Sequence, residues 1–265
     1  MRTFRLYLRL LDASIRAQMQ YRVSFLIETL RLVLTYLSVL TMVWIMLQRF
    51  GLLKSWTFGE TAFLFGLAVF SWGLTMPLFF PFLSVERYVL LGTFDRFLTR
   101  PLSPFVQVMA DRFNLGAAGQ IIFTAIAFIV ASRHIDIAWT PFRVGFLIAS
   151  VITGALIQGA AVLAISALCF WTLGARRFYW VFVRPAREMT WFPVSIYPRP
   201  VQLALTFVLP FAFINFFPAQ VLLGKHDPAF PAALAYAGPL VGVAAFLAAY
   251  RFWHVGLNRY ESTGS

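Results

Sequence analysis

The chain has 265 residues, of which 60% are hydrophobic and 12% charged. Soluble domains run at roughly 45–50% apolar and about 25% charged, so a water-soluble globule is excluded as the leading class. The net charge of +12 would point a soluble chain toward nucleic acid; here membrane topology accounts for it, because the basic residues sort by side.

Residues 1–20 carry Arg2, Arg5, Arg9, Asp12 and Arg16 at spacings of three and four, with Phe4, Tyr7, Leu8, Leu11 and Ile15 on the opposite stripe. That pattern predicts an amphipathic helix lying in the membrane interface. It lacks the uninterrupted apolar core of a cleavable leader.

Crossing a hydrocarbon core takes about 20 helical residues. The stretches 61–83, 113–132, 144–175, 200–218 and 229–250 meet that length without an internal Asp, Glu or Lys, and 32–48, slightly shorter, extends backwards through 23–31. Six transmembrane helices are therefore predicted. Glu28 and Arg31 stand three residues apart at the start of the first, on one helical face, where they can pair or snorkel. An outer loop, 49–59, follows.

Pro77 and Pro81 should bend the second span. The segment 85–103 then reads as an amphipathic helix, with Leu90, Leu91, Phe94, Phe97 and Leu98 on one flank and Arg87, Asp95, Arg96, Thr99 and Arg100 on the other. Pro101 ends it. Ser103-Pro104 reads as the cap and first turn of the third helix, which starts below the membrane with Asp111 and Arg112 at headgroup level.

Thr140-Pro141 opens the fourth helix. The stretch 144–175 exceeds a perpendicular crossing, so tilt or a break near Gly154 and Gly159 must absorb the excess; with Ala155 and Ala160 these glycines also form a face for close helix packing. The segment 174–199, rich in Arg, Trp and Tyr, reads as a second cytoplasmic segment at the interface rather than a nucleic-acid site. Leu209-Pro210 and Phe217-Pro218 flank Asn215 and predict a short re-entrant or interfacial outer helix over 216–228.

If residue 1 is cytoplasmic, that side collects the arginines of 1–22, 87–112, 176–199 and 251–259. The other side gets only Arg49, Lys54, Arg133, Arg143 and Lys225. The asymmetry follows the positive-inside rule and predicts two cytoplasmic termini.

Site chemistry is sparse. Cys169 is alone and reads as a small buried residue. Gly224-Lys225 fails as a nucleotide-binding loop, since Ala219 stands where the first glycine belongs and His226 where Ser or Thr should follow. His134, His226 and His254 are scattered, and His134 with Asp136 reads as a solvated turn. No cofactor and no metal is expected on this chain. The near absence of intramembrane carboxylates speaks against a proton-coupled carrier. Asn114, Gln120, Gln158 and Asn215 are candidates for cavity lining or, equally, for interhelical packing.

Four stretches carry a family resemblance: GTFDRFLTRPL over 92–102, PVSIYP over 193–198, PFAFINFFPA over 210–219 with Leu223-Gly224, and WHVGLNRYESTGS over 253–265. The chain resembles, over its whole length, the membrane subunit of an ATP-binding-cassette exporter of the ABC-2-type permease family. The resemblance implies a single all-α permease domain over 1–265 that dimerises with itself or a related permease. It implies two separate P-loop ATPase subunits as partners, carrying ATP and Mg²⁺. Residues 1–20 would be the elbow helix. The segment 85–103 would be the coupling helix, with Leu91, Phe94, Asp95, Arg96, Leu98 and Arg100 as contact residues. A hydrophobic or amphipathic cargo, export, and a bacterial inner-membrane location are also implied. Two other classes are weighed against this. A lipid-modifying enzyme needs His, Asp or Glu converging near the headgroups, and a secondary carrier needs inverted halves with helices broken at the midplane; the sequence displays neither.

Overall fold

A computed structural model describes residues 22–50, 55–111, 116–133, 135 and 137–261. The interfacial helix of 1–20, Asn114, His134 and Asp136 lie outside them, as do the side chains of Glu28 and Gln120.

All regular elements among the described residues are helical. The first, α1 (Arg22–Phe50), is followed by α2 (Phe58–Phe79). Thr57 starts α2 with a capping box: its hydroxyl accepts from the Glu60 amide at 3.3 Å, and the Glu60 carboxylate accepts from the Thr57 amide at 2.8 Å. Past Pro77 the helix tightens into a 3₁₀ stretch, Phe80–Ser84, and continues as α3 (Val85–Leu90). The prolines therefore change the winding without ending the run, and Phe58–Leu90 counts as one 33-residue span.

After α4 (Asp95–Leu98) come α5 (Pro104–Asp111) and α6 (Gly116–Arg133). Next is α7 (Pro141–Ala167), capped as predicted by the Thr140 hydroxyl, which accepts from the Arg143 amide at 3.3 Å. No break occurs at Gly154 or Gly159. A Cβ on Gly154 would lie 2.7 Å from Ser71 Oγ, and Gly159 sits beneath the Phe79 ring, so both glycines serve close approach to α2. Thr75 Oγ1 ties the same interface, donating to the Ala155 carbonyl at 3.1 Å. The excess length ends instead in a 3₁₀ turn, Leu168–Phe170.

Beyond it, α8 (Ala175–Phe178), a π-helical turn (Tyr179–Val183) and α9 (Arg184–Met189) run on as one helix, 175–189. Then come α10 (Arg199–Leu203), a π turn (Ala204–Val208), α11 (Phe216–Leu223) and α12 (Gly238–Leu257), which packs along α7.

By length and composition, three of the described helices can cross a membrane: Phe58–Leu90, Pro141–Phe170 and Gly238–Leu257. A fourth is added if Arg199–Val208 and Phe211–Leu223, which meet at 78°, count as one. The chain is a multi-pass membrane protein, but this measure does not reach the six spans predicted.

Two sequence expectations differ from the structure. The segment 174–199 does not stay at one end of the bundle. Its start touches Glu86, the Tyr179 ring lies 6.4 Å from Phe80, Arg187 covers Trp72 and the Trp191 ring lies 5.7 Å from Phe65. The helix thus runs antiparallel beside Trp72–Glu86, and the residues after it carry on to Phe65. Its continuation reaches the other end, where Ser195 shares a cavity with Ser55, Trp56 and Lys225. The stretch 200–218, in turn, is not a straight span. Arg199 donates to the Ala229 carbonyl at 2.9 Å, while Lys225, just past α11, donates to the Ser55 carbonyl and to Glu60, both at 2.6 Å. Both ends of the bent pair therefore lie at the Glu60 end of the bundle. The vertex at Leu209–Phe211 lines an apolar groove against Ala160 and Ala164 of α7 and Ala245 and Ala249 of α12. The bent pair runs from Arg199 to Leu223 and so begins well before the 216–228 expected for a re-entrant or interfacial helix. Pro218 does not interrupt it, because it falls in the first turn of α11, where no intrahelical amide donor is needed.

Candidate functional site

The segment 85–103 is a helix–turn–helix rather than the single amphipathic helix expected. Gly92 adopts φ +64°, a left-handed conformation that closes α3 as Gly commonly does at a helix end. The Thr93 and Phe94 amides both return to the Tyr88 carbonyl, at 2.9 and 3.1 Å. The chain therefore reverses before α4, and the reversal decides which side chains face in.

Phe94 is fully buried, 0% exposed. Its ring contacts Phe97, Phe170 and Tyr260 at centroid distances of 5.7, 5.4 and 5.1 Å. It anchors the segment to its own bundle and is not displayed to a partner. The apolar side chains that do face outward are Leu90 (54% exposed), Leu91 (62%) and Leu98 (45%). Arg87, Arg96 and Arg100 are exposed around them. Of the six residues singled out, Leu91, Arg96, Leu98 and Arg100 thus share the outer surface. Asp95 is partly buried beside Tyr260. Burial together with that carboxylate pushes the Tyr260 hydroxyl up to about 12.

Several long-range ties hold the segment in place. The Glu86 carboxylate accepts from the Gly174 amide at 3.1 Å and the Arg176 amide at 2.6 Å, putting an anion on the amides that open the helix 175–189. Tyr88 donates to Asp111, and Arg96 pairs with the same carboxylate at 3.3 Å while stacking over the Tyr88 and Phe97 rings at 4.9 and 4.7 Å. Gln107 Nε2 donates to the Phe97 and Leu102 carbonyls, both at 2.7 Å. Between them, these contacts join the segment to α5, the end of α7, the helix 175–189 and the residues after α12.

The polar candidates have separate fates. Asn215, 0% exposed, donates through Nδ2 to the Leu64 carbonyl at 3.1 Å and the Thr190 carbonyl at 2.6 Å; it is an interhelical brace. Gln158 donates back to Gly154 of its own helix at 3.3 Å. Neither lines a large cavity with the other. Among the described residues no group of three or more His, Cys, Asp or Glu could hold a metal.

Glu86, Tyr88 and Gln107 were not legible as site residues. A lone carboxylate at the end of an apolar run was the available signal for Glu86, but no sequence spacing pairs it with amides about ninety positions away.

Residues 32–264 match the family model described as ABC-2 family transporter protein. No curated protein and no solved structure matches the chain.

Proposed function

The chain belongs to the ABC-2 transporter family and is a membrane permease subunit of an ABC transporter; from that premise we propose that the turn segment 85–100 receives the stroke of a separate ATPase subunit. The supporting observation is a combination: an exposed leucine cluster ringed by arginines, on a segment braced to four other parts of the bundle. Leu90, Leu91 and Leu98 would enter an apolar groove of the ATPase while Arg87, Arg96 and Arg100 set register against its acidic groups. ATP and Mg²⁺ belong to that partner, and this chain supplies no catalytic group. Glu86 would carry displacement into the helix 175–189, and Phe94 into the ends of α7 and α12.

In this reading the chain crosses the membrane six times, with the helix 175–189 and its continuation to Ser195, rather than 200–218, as the fifth crossing. The bent pair Arg199–Leu223 then dips into the outer leaflet and returns. Arg87, Arg96, Arg100, Arg176, Arg177 and Arg259 fall at the Glu86 end, and Arg133, Arg143, Arg199 and Lys225 at the other. The excess still makes the Glu86 end cytoplasmic. Two permeases, alike or related, would enclose the path, and a hydrophobic or amphipathic cargo would leave through it across a bacterial inner membrane. The exposed face of α1, including Leu30, Leu34 and Leu37, is available to lipid or to the second permease.

The test is co-purification from the native cells, with the eluate probed for a P-loop ATPase. Tagged wild type should retain it. Changing Leu90, Leu91 and Leu98 together to Ser should abolish retention while leaving the permease's elution volume unchanged. Equal retention by both proteins would refute the coupling role.

A further inference from the structure

A second charged cluster lies far from the turn segment, on the helix 175–189. Arg184 Nε donates to Glu188 Oε1 at 2.8 Å, whereas the closest Arg187 nitrogen, Nη2, stands 3.9 Å from that same oxygen. The single carboxylate is thus taken up by Arg184. Arg187 Nε and Nη1 are buried and have no acceptor, leaving three of the guanidinium's five N–H donors unused.

The surroundings offer Arg187 little else. Its guanidinium covers the Trp72 ring at 3.8 Å, a contact that balances charge but accepts no hydrogen bond in the ring plane. Trp72 sits near the middle of the 33-residue run Phe58–Leu90. The titratable groups that act on Arg187 are Tyr179 of its own helix, Tyr36 of α1, Glu188 and Arg184. Two guanidiniums against one carboxylate leave the cluster one positive charge in excess. Uncompensated cations at such depth are rare and mark binding or transport pathways.

The same helix turns an apolar surface outward. Phe178, Val181 and Phe182 are exposed on its outer face, while Arg184 is half exposed and Arg187 only 12% so. An amphipathic molecule lying along this surface would keep its chains against Phe178 and Phe182 and could turn an acidic head toward the arginines.

We propose that Arg187, assisted by Arg184, is an anion-binding site within the membrane body that takes the phosphate head of a lipid-like molecule. Guanidinium donors suit phosphate oxygens, and each such bond is charge-assisted. The site stands independently of the coupling role: a permease that engaged no ATPase would still bind the headgroup.

The test uses the full chain in neutral detergent. Equal amounts of phosphatidylglycerol and phosphatidylcholine are added, and retained lipid is counted by native mass spectrometry. Wild type should prefer phosphatidylglycerol about tenfold, because phosphatidylcholine presents the same phosphate beside a quaternary ammonium that offsets its attraction to the arginines. Arg187→Gln should bring the ratio near parity with unchanged elution volume, and Arg184→Gln should lower it less. Should the Gln variant fail to fold, Arg187→Lys keeps the charge but loses the planar fork and should cut the preference two- to threefold, about the cost of the lost geometry. Inorganic phosphate identifies the source of the anion. Failure of millimolar phosphate to displace the lipid supports a headgroup site, and displacement in wild type but not in Arg187→Gln supports the same site serving a soluble phosphate. An unchanged lipid ratio and phosphate response in the variants overturns the proposal. So does a dimer that falls apart in Arg187→Gln with its lipid ratio intact, because a second copy would then be satisfying the arginine.

Discussion

The turn segment 85–100 and the bent pair Arg199–Leu223 solve one problem in opposite ways. Each is a pair of short helices meeting at a sharp reversal, and each must hold its backbone in place without the length that stabilises a full span. At the Glu86 end, charges do the holding: Glu86 on two amides, Asp111 on Tyr88 and Arg96, and half of the side chains left facing water. In the bent pair, one neutral amide, Asn215, bridges two carbonyls from other helices, and Phe211, Phe213, Phe216 and Phe217 fill the interior. The difference follows from solvent. Near water a charged group needs only partial desolvation, while deep in the bundle a neutral amide is the least costly group that can satisfy a backbone carbonyl.

The comparison can be broken most forcefully at Phe94. Truncation by Phe94→Ala removes a fully buried ring from three aromatic neighbours and should destabilise the protein by about 3–5 kcal/mol, seen as a fall in thermal unfolding temperature in detergent. A near-neutral outcome would mean that Phe94 faces a partner after all. Asn215→Ala should follow, at about 2–3 kcal/mol, because the Leu64 and Thr190 carbonyls lose their buried donor. If the bent pair were held by aromatic packing alone, that variant would unfold like wild type. Glu86→Gln should cost about 1–2 kcal/mol and leave a local signature: faster hydrogen exchange at the Gly174 and Arg176 amides, with protection elsewhere kept. The smallest expected effect is at the surface. Leu91→Ser and Leu98→Ser should each change stability by less than about 0.5 kcal/mol while weakening capture of an ATPase. A large loss of stability there would place these leucines in the fold instead.

Legibility in the sequence followed the range of the interactions involved. Thr140-Pro141 and Ser103-Pro104 announced their helices correctly because a helix start is written within four residues. The small-residue face at Gly154 and Gly159 was also readable, whereas for Asn215 the sequence left cavity lining and interhelical packing equally open. Misplaced features all depended on where the chain went next. In the 85–103 segment helical periodicity put Phe94 beside Leu91 and Leu98, but Gly92 reverses the backbone and sends Phe94 inward. In 174–199, arginine and aromatic content matched an interfacial segment, yet Arg187 finds Trp72 in the bundle interior. Composition reports the average cost of burial and is blind to a single ring that shields one charge.

Residue order by itself settled that this chain is helical and membrane-embedded. Apolar runs of about 20 residues have no other way to satisfy their backbone out of water. Only the tertiary structure decided that the helix 175–189 runs antiparallel beside the second half of Phe58–Leu90 while the stretch after Arg199 turns back on itself. That choice rests on bonds such as Lys225 to Ser55, which join residues far apart in the chain. An apolar helix of given length can span or return, and what selects between them is the set of partners its two ends meet.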